Sequence, residues 1–150
     1  MGYSLSQRSL DRLDGVDEKL VAVVKRAIEV SNIDFGVIEG LRTVEKQEQL
    51  VASGASQTMK SKHIEGGAVD LMAYVNGRGC WELACYDNIA DAMKQAAQEL
   101  DVAIKWGAAW TCSDIRKWQG TMEDAMNEYI DTRRSQGRRP FIDGPHFELS

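Results

Sequence analysis

The chain has 150 residues, 43% of them hydrophobic and 27% charged, with a formal net charge of −5. That length predicts one domain, residues 1–150, whose core is large enough to need no staples. The negative balance argues against nucleic acid as the main partner, since such binding neutralises phosphates with cations. No apolar run approaches the roughly 20 residues of a membrane helix, and Met1 to Arg8 lacks the apolar stretch of a secretory signal. The three cysteines, Cys80, Cys85 and Cys112, show no metal or redox spacing and read as reduced thiols of a reducing compartment.

Ser4 to Leu13 reads as a short first helix capped by Ser4. Asp17 to Ser31 follows as an amphipathic helix, because Leu20, Val23, Val24, Ala27 and Ile28 recur at helical spacing. Asp34 to Leu41 holds the strand formers Phe35, Val37 and Ile38. Thr43 caps a helix from Val44 to about Ala52, and Ser53 to Thr58 has loop composition. Ala68 to Tyr74 reads as a core strand, followed by the turn signal Asn76-Gly77. Trp81 to Leu100 is the strongest helix, with Ile89, Ala92, Met93, Ala96, Ala97 and Leu100 in one stripe. Val102 to Trp106 is a short strand. Thr121 to Arg134 is a helix with Thr121 and Asp124 spaced as a capping box, and Phe147 to Leu149 a closing strand. Several helices and few, turn-linked strands predict an α+β domain with a small, mainly antiparallel sheet.

Only two histidines occur, and both neighbour acids. The first lies in Ser61-Lys62-His63-Ile64-Glu65-Gly66-Gly67-Ala68-Val69-Asp70. Seven positions separate His63 from Asp70, which rules out adjacent turns of one helix. Gly66 and Gly67 instead permit a reversal into the strand that carries Asp70. A carboxylate in an apolar strand needs a partner, and a cation is a good one. The second lies in Asp143-Gly144-Pro145-His146-Phe147-Glu148, where His146 and Glu148 share a strand face. Two imidazoles and one carboxylate form a ligand set typical of catalytic zinc, with a position free for water, so hydrolysis is the first function to test. Two acids compete for the role of base. Asp143 can be swung back by the Gly-Pro turn, whereas Glu148 either reaches the site or hydrogen-bonds a ligand. Trp106, Trp110 and Trp118 line a cleft or fill the core. Arg133, Arg134, Arg138 and Arg139 form either a solvated basic face or an attraction for an anionic envelope.

The pattern Ser-x-His-x-x-Gly-x-Ala-x-Asp, filled by Ser61, His63, Gly66, Ala68 and Asp70, with Asp143-x-x-His146 far downstream, resembles the zinc D-alanyl-D-alanine carboxypeptidase (VanY-type) family. That family includes VanX-type enzymes and bacteriophage L-alanyl-D-glutamate peptidases, and the ending from Asp143 to Leu149 is most similar to the small phage endolysins. Gly40-Leu41-Arg42-Thr43 and the segment from Lys105 to Trp110 resemble its Arg-bearing strand end and Trp-containing strand. The likeness spans about residues 18 to 150. It departs in a longer segment, about 111 to 139, and in Pro145, where Gly is common.

The resemblance implies a VanY-type fold with its metal site at the sheet, and one Zn²⁺ per chain held by His63, Asp70 and His146. Asp143 would be general base and acid. Arg42 would bind the oxyanion side of the reacting carbonyl; the bland alternative is a surface ion pair with Glu39 or Glu45. Substrate contacts would come from Arg42, Ser61 and Trp110, with Ser61 as hydrogen-bond support rather than nucleophile. The implied activity is hydrolysis of the L-alanyl–D-glutamate bond in the peptidoglycan stem peptide. The implied setting is a monomeric endolysin made in the host cytoplasm and reaching the wall after holin-mediated release. Two rivals remain: a D-alanyl-D-alanine carboxypeptidase or dipeptidase, and a catalytically silent, zinc-stabilised wall-binding domain.

Overall fold

In the computed structural model, which describes residues 3–56, 59 and 61–150, one sheet carries the strands in the order β1 (Asp34–Glu39), β2 (Ala68–Val75), β5 (His146–Leu149), β4 (Ile104–Trp106). The short β3 (Arg78–Cys80) pairs with the far end of β2, and every pairing is antiparallel. Five α-helices accompany it among the described residues: α1 (Gln7–Arg12), α2 (Glu18–Val30), α3 (Val44–Ala52), α4 (Leu83–Leu100) and α5 (Met122–Ser135). The expected α+β class and small antiparallel sheet are what the chain forms.

The two strongest apolar stripes find each other. Leu20, Val23, Val24 and Ala27 of α2 and Ile89, Met93, Ala96 and Ala97 of α4 are fully buried, and the two helices pack together. Strand alternation supplies the other wall of the core. Val69, Leu71 and Ala73 of β2 are buried, and their register partners include Phe147, Val37 and Phe35. Trp106 pairs with Phe147 and stacks on it at 6.3 Å. Because strand side chains alternate, this leaves Asp70 and His146 on the opposite face of the sheet.

Boundaries moved where tertiary contacts compete with local signals. Helix α1 starts at Gln7, capped by Ser6 rather than Ser4; Ser6 Oγ accepts the Ser9 N–H at 3.2 Å. Ser9 Oγ in turn accepts the Val37 N–H at 2.9 Å, which ties this helix to β1. Strand β1 ends at Glu39 rather than Leu41, after a register irregularity between Val37 and Glu39. Helix α4 starts at Leu83, leaving Trp81 outside it, stacked on Tyr86. Thr43 and Thr121 cap α3 and α5 as their spacing predicts, and Asn76-Gly77, both at positive φ, make the two-residue turn between β2 and β3. The loop expectation for Gln57 and Thr58, and the reading of Met1-Gly2, lie outside the described residues. Cys80 and Cys85, whose spacing signals nothing, meet across the β3–α4 junction with their sulfurs 2.8 Å apart; with Glu82 they form a group able to hold a metal ion.

Candidate active site

Strand register builds the centre of the site. Glu39 of β1 pairs with Asp70 of β2, and Asp70 pairs with His146 of β5. Directly opposed residues have Cβ atoms about 5 Å apart, so one row across three strands brings together groups 31 and 76 positions distant in sequence. His63 arrives from the preceding turn. Gly67 N donates to Lys62 O at 2.8 Å and Arg42 N to His63 O at 2.9 Å, closing that turn against the end of β1. Gly66 sits at φ +74, and a Cβ there would lie 2.4 Å from Gly15 O. Both facts demand glycine at this position.

His63, Asp70 and His146 present ligand atoms all within 4.8 Å of one another, an arrangement that could hold a metal ion. Asp70 Oδ1 is 3.3 Å from both His63 Nε2 and His146 Nδ1. The outer nitrogens define the tautomers. His63 Nδ1 is 2.8 Å from Gly40 O; a carbonyl only accepts, so Nδ1 carries the hydrogen and Nε2 offers a lone pair. That Nε2 is buried without a hydrogen-bond partner among the described residues. A buried polar atom left so is costly, and a cation removes the cost. His146 Nε2 donates to Glu148 Oε1 at 2.8 Å, which turns Nδ1 toward Asp70. Glu148 is also 3.6 Å from Lys62 Nζ. Of the two readings left open for Glu148, the geometry gives the one in which it orients a histidine.

The charges follow from this packing. Burial works against ionised Asp70, but the His146 and His63 rings beside it outweigh that and hold the carboxyl far below its ordinary range. Burial likewise opposes Glu148, and the His146 hydrogen bond with the His146 and Lys62 charges lowers it overall. Asp143 is different. Burial and then the Asp70 charge push it up against the pull of His146, His63 and Arg42. Its carboxylate makes no hydrogen bond or ion pair among the described residues, and Asp143 lines a cavity together with His63, Asp70 and His146.

Arg42 does pair with Glu39, through Nε, but this is a buried arrangement rather than a surface one. Nη1 donates to Gln47 Oε1 at 2.6 Å and Ser61 Oγ at 3.4 Å, and Nη2 lies 3.6 Å from Asp70 Oδ2. Ser61 Oγ also accepts the His63 N–H at 3.2 Å, as a support would. Arg42, Ser61, His63, Asp70, Trp110, Asp143 and His146 all line one cavity of about 610 Å³. Of the three tryptophans weighed for a cleft, only Trp110 lines this cavity; its ring lies 5.6 Å from that of His146. Trp106 is fully buried and Trp118 packs on the core.

Two contributors escaped the sequence reading. Gln47 is a fully buried amide on α3, and nothing in a helix pattern marks it as the partner of an arginine. Gly107 holds the turn that carries Asp143. Asp143 N donates to Gly107 O, and Gly107 N to His146 O, both at 2.8 Å, while Trp106 Nε1 donates to Gly144 O at 2.7 Å. A Cβ on Gly107 would lie 2.3 Å from Asp143 O and 2.9 Å from His146 Cβ. Gly107→Ala therefore has to push this turn off the strand. Displacing a reacting group by 1 Å can cost about 100-fold in rate, and overpacking costs roughly 1–3 kcal/mol. We expect kcat to fall about 100-fold in a protein that still folds, as read by peptide hydrolysis beside a melting curve.

Known proteins share this arrangement of sequence and fold. The family model for phage L-alanyl-D-glutamate peptidase matches residues 1–150. The chain is 36% identical to an L-alanyl-D-glutamate peptidase of Escherichia phage T5 over 99% of both proteins. It is 29% identical to one of Listeria phage A118 over 69% of this chain and 37% of that protein. The crystal structure of the Serratia marcescens L-Ala D-Glu endopeptidase ChiX superposes with a TM-score of 0.72 at 33% identity, covering 96% of this chain and 87% of that one.

Proposed function

The chain belongs to the phage L-alanyl-D-glutamate peptidase family, and from that premise we propose that it hydrolyses the L-alanyl–D-glutamate bond of the bacterial peptidoglycan stem peptide. His63, Asp70 and His146 hold one zinc ion, and Asp143 moves the proton. The observation that carries the metal reading is the orphaned, buried Nε2 of His63, aimed with Asp70 and His146 at one point. When bound, zinc polarises the scissile carbonyl and makes water acidic near neutral pH.

The protein's own residues do the rest. Asp143, raised by burial and free of competing partners, takes a proton from the attacking water and returns it to the leaving nitrogen of the glutamyl residue. Glu148 and the Gly40 carbonyl keep each imidazole in the tautomer that faces inward. Arg42 has its Nε and Nη1 committed, so Nη2 is the arm left to hold Asp70 and face the oxygen of the reacting carbonyl. A preorganised donor of this kind contributes roughly 3–4 kcal/mol to the transition state. Trp110 forms a wall for the peptide.

We place the enzyme, as a monomer, in the host cytoplasm until holin-mediated release brings it to the wall. Among the described residues no helix is long and apolar enough to cross a membrane. The test is digestion of purified sacculi, with fragments identified by mass spectrometry. New amino-terminal glutamate is expected. Free alanine or alanyl-alanine would instead establish the carboxypeptidase branch, and binding without cleavage a silent domain.

A further inference from the structure

A second cavity, of about 470 Å³, adjoins the first: Trp110 and Phe141 line both. Its other walls include Tyr129, Arg133, Gln136 and Arg138, all within or just beyond α5. Phe141 is fixed in place, since its N–H donates to Tyr129 Oη at 2.9 Å and its carbonyl accepts from both Tyr129 Oη and Trp110 Nε1. Arg138 N donates to Arg133 O at 2.8 Å, which folds the chain back, and both arginines line the same hollow.

These two cations differ from those of the metal-side cavity. There, Arg42 is shared among Glu39, Gln47, Ser61 and Asp70, and Lys62 is taken by Leu149 O and Glu148. Arg133 and Arg138 make no ion pair among the described residues. Arg133 packs its guanidinium 5.9 Å from the centre of the Tyr129 ring, and its Nε is buried with no hydrogen-bond partner. A buried N–H without an acceptor is costly, so the missing acceptor is expected from a ligand. The remaining arginines of the basic cluster, Arg134 and Arg139, are exposed and do not line the hollow.

The substrate chemistry supplies such an acceptor. A glutamyl residue has two carboxyl groups. Whichever one carries the peptide onward, the other is left free, on the leaving-group side of the scissile bond. A chain advances at most about 3.6 Å per residue, and the ring of Trp110, which borders both cavities, lies 5.6 Å from that of His146. The free carboxylate thus falls within a residue or two of the boundary.

We propose that Arg133 and Arg138 form an anion subsite that receives the free carboxylate of the glutamyl residue. This rests on the peptidase reading above. Guanidinium suits the task because its planar fork pairs with carboxylate oxygens in a fixed geometry.

The test uses the zinc-loaded enzyme and two synthetic stem peptides that differ only in that group, one a free acid and the other its primary amide. Hydrogen bonds to a charged group are worth about 1.5–3 kcal/mol, so the acid should have a KM lower by at least about tenfold. In the Arg133→Gln/Arg138→Gln double variant the ratio of the two KM values should fall to about one. Arg134→Gln should leave the ratio unchanged. A double variant that keeps the wild-type ratio overturns the subsite, and so does a wild type indifferent to the amide. A wild type that cuts neither peptide sinks the peptidase reading and the subsite with it. If loss of the Tyr129 contact unfolds the Arg133 variant, exposed Arg138→Gln alone decides, through a partial fall in the ratio or none.

Discussion

Asp143→Asn is expected to lower kcat by about 1,000-fold, within the range of 10²–10⁴ that a positioned general acid–base contributes, while metal content stays unchanged. The side chain keeps its size and the backbone N–H of residue 143 keeps its bond to Gly107 O, so what is lost is the ability to take a proton. Glu148 cannot substitute without releasing His146. Near-normal turnover by the variant would move the base role away from Asp143. The same substitution has a stability signature of opposite sign. A carboxyl whose folded pKa is raised is one whose ionised form the fold disfavours, and burial beside Asp70 does this to Asp143. At neutral pH the charge therefore works against the metal-free fold, and the neutral amide relieves it. The metal-free variant should melt above the metal-free wild type.

His63→Ala and His146→Ala should each abolish stoichiometric metal binding and, with it, hydrolysis. Loss of an outer hydrogen-bond partner of a metal ligand costs about 10–100-fold in affinity, and loss of the ligand itself should exceed that. Glu148→Gln, which weakens only the hold on His146, should fall inside that range. Chelator competition ranks the three, and full occupancy in both histidine variants would discard this ligand set. Proton counting adds an independent check. Burial presses the His146 imidazolium down, but hydrogen bonds to Asp70 and Glu148 raise it to about 9 in the metal-free protein. Metal uptake at neutral pH must then displace about one proton from that ring, seen with an indicator in weak buffer and missing in His146→Ala. For the metal-free fold the sign is fixed. The raised pKa stabilises fully below the ordinary histidine value and is lost as pH rises through about 9.

Much of this site could be read from residue identity because histidine is so scarce here. With two imidazoles in the chain, the candidate ligands were countable before they were placed. Elements with one dominant local cause were equally plain. Helices α2 and α4 follow their apolar stripes, and α3 and α5 begin after threonine caps. What stayed hidden depends on contacts between distant segments. Ser6 rather than Ser4 caps α1, which is tied to β1 through Ser9. Glu39 joins the row with Asp70 only because of an irregularity in strand register. Gln47 matters through a guanidinium five residues away, and Gly107 through a turn that closes 36 positions later. Cys80 and Cys85 meet because one strand ends where a helix begins. The hydrogen bond of Glu148 to an imidazole needed the register of β5, which turns the glutamate onto His146.

That strand has a consequence for how the protein comes into being. Its four residues slot between β2 and β4, and they bring one of the three grouped side chains, His146, to a sheet otherwise synthesised long before. A nascent chain in which β5 has not yet paired with β2 has an incomplete centre, since domains fold as units. A chain interrupted before β5 therefore lacks His146, and the site cannot assemble until that strand is in place.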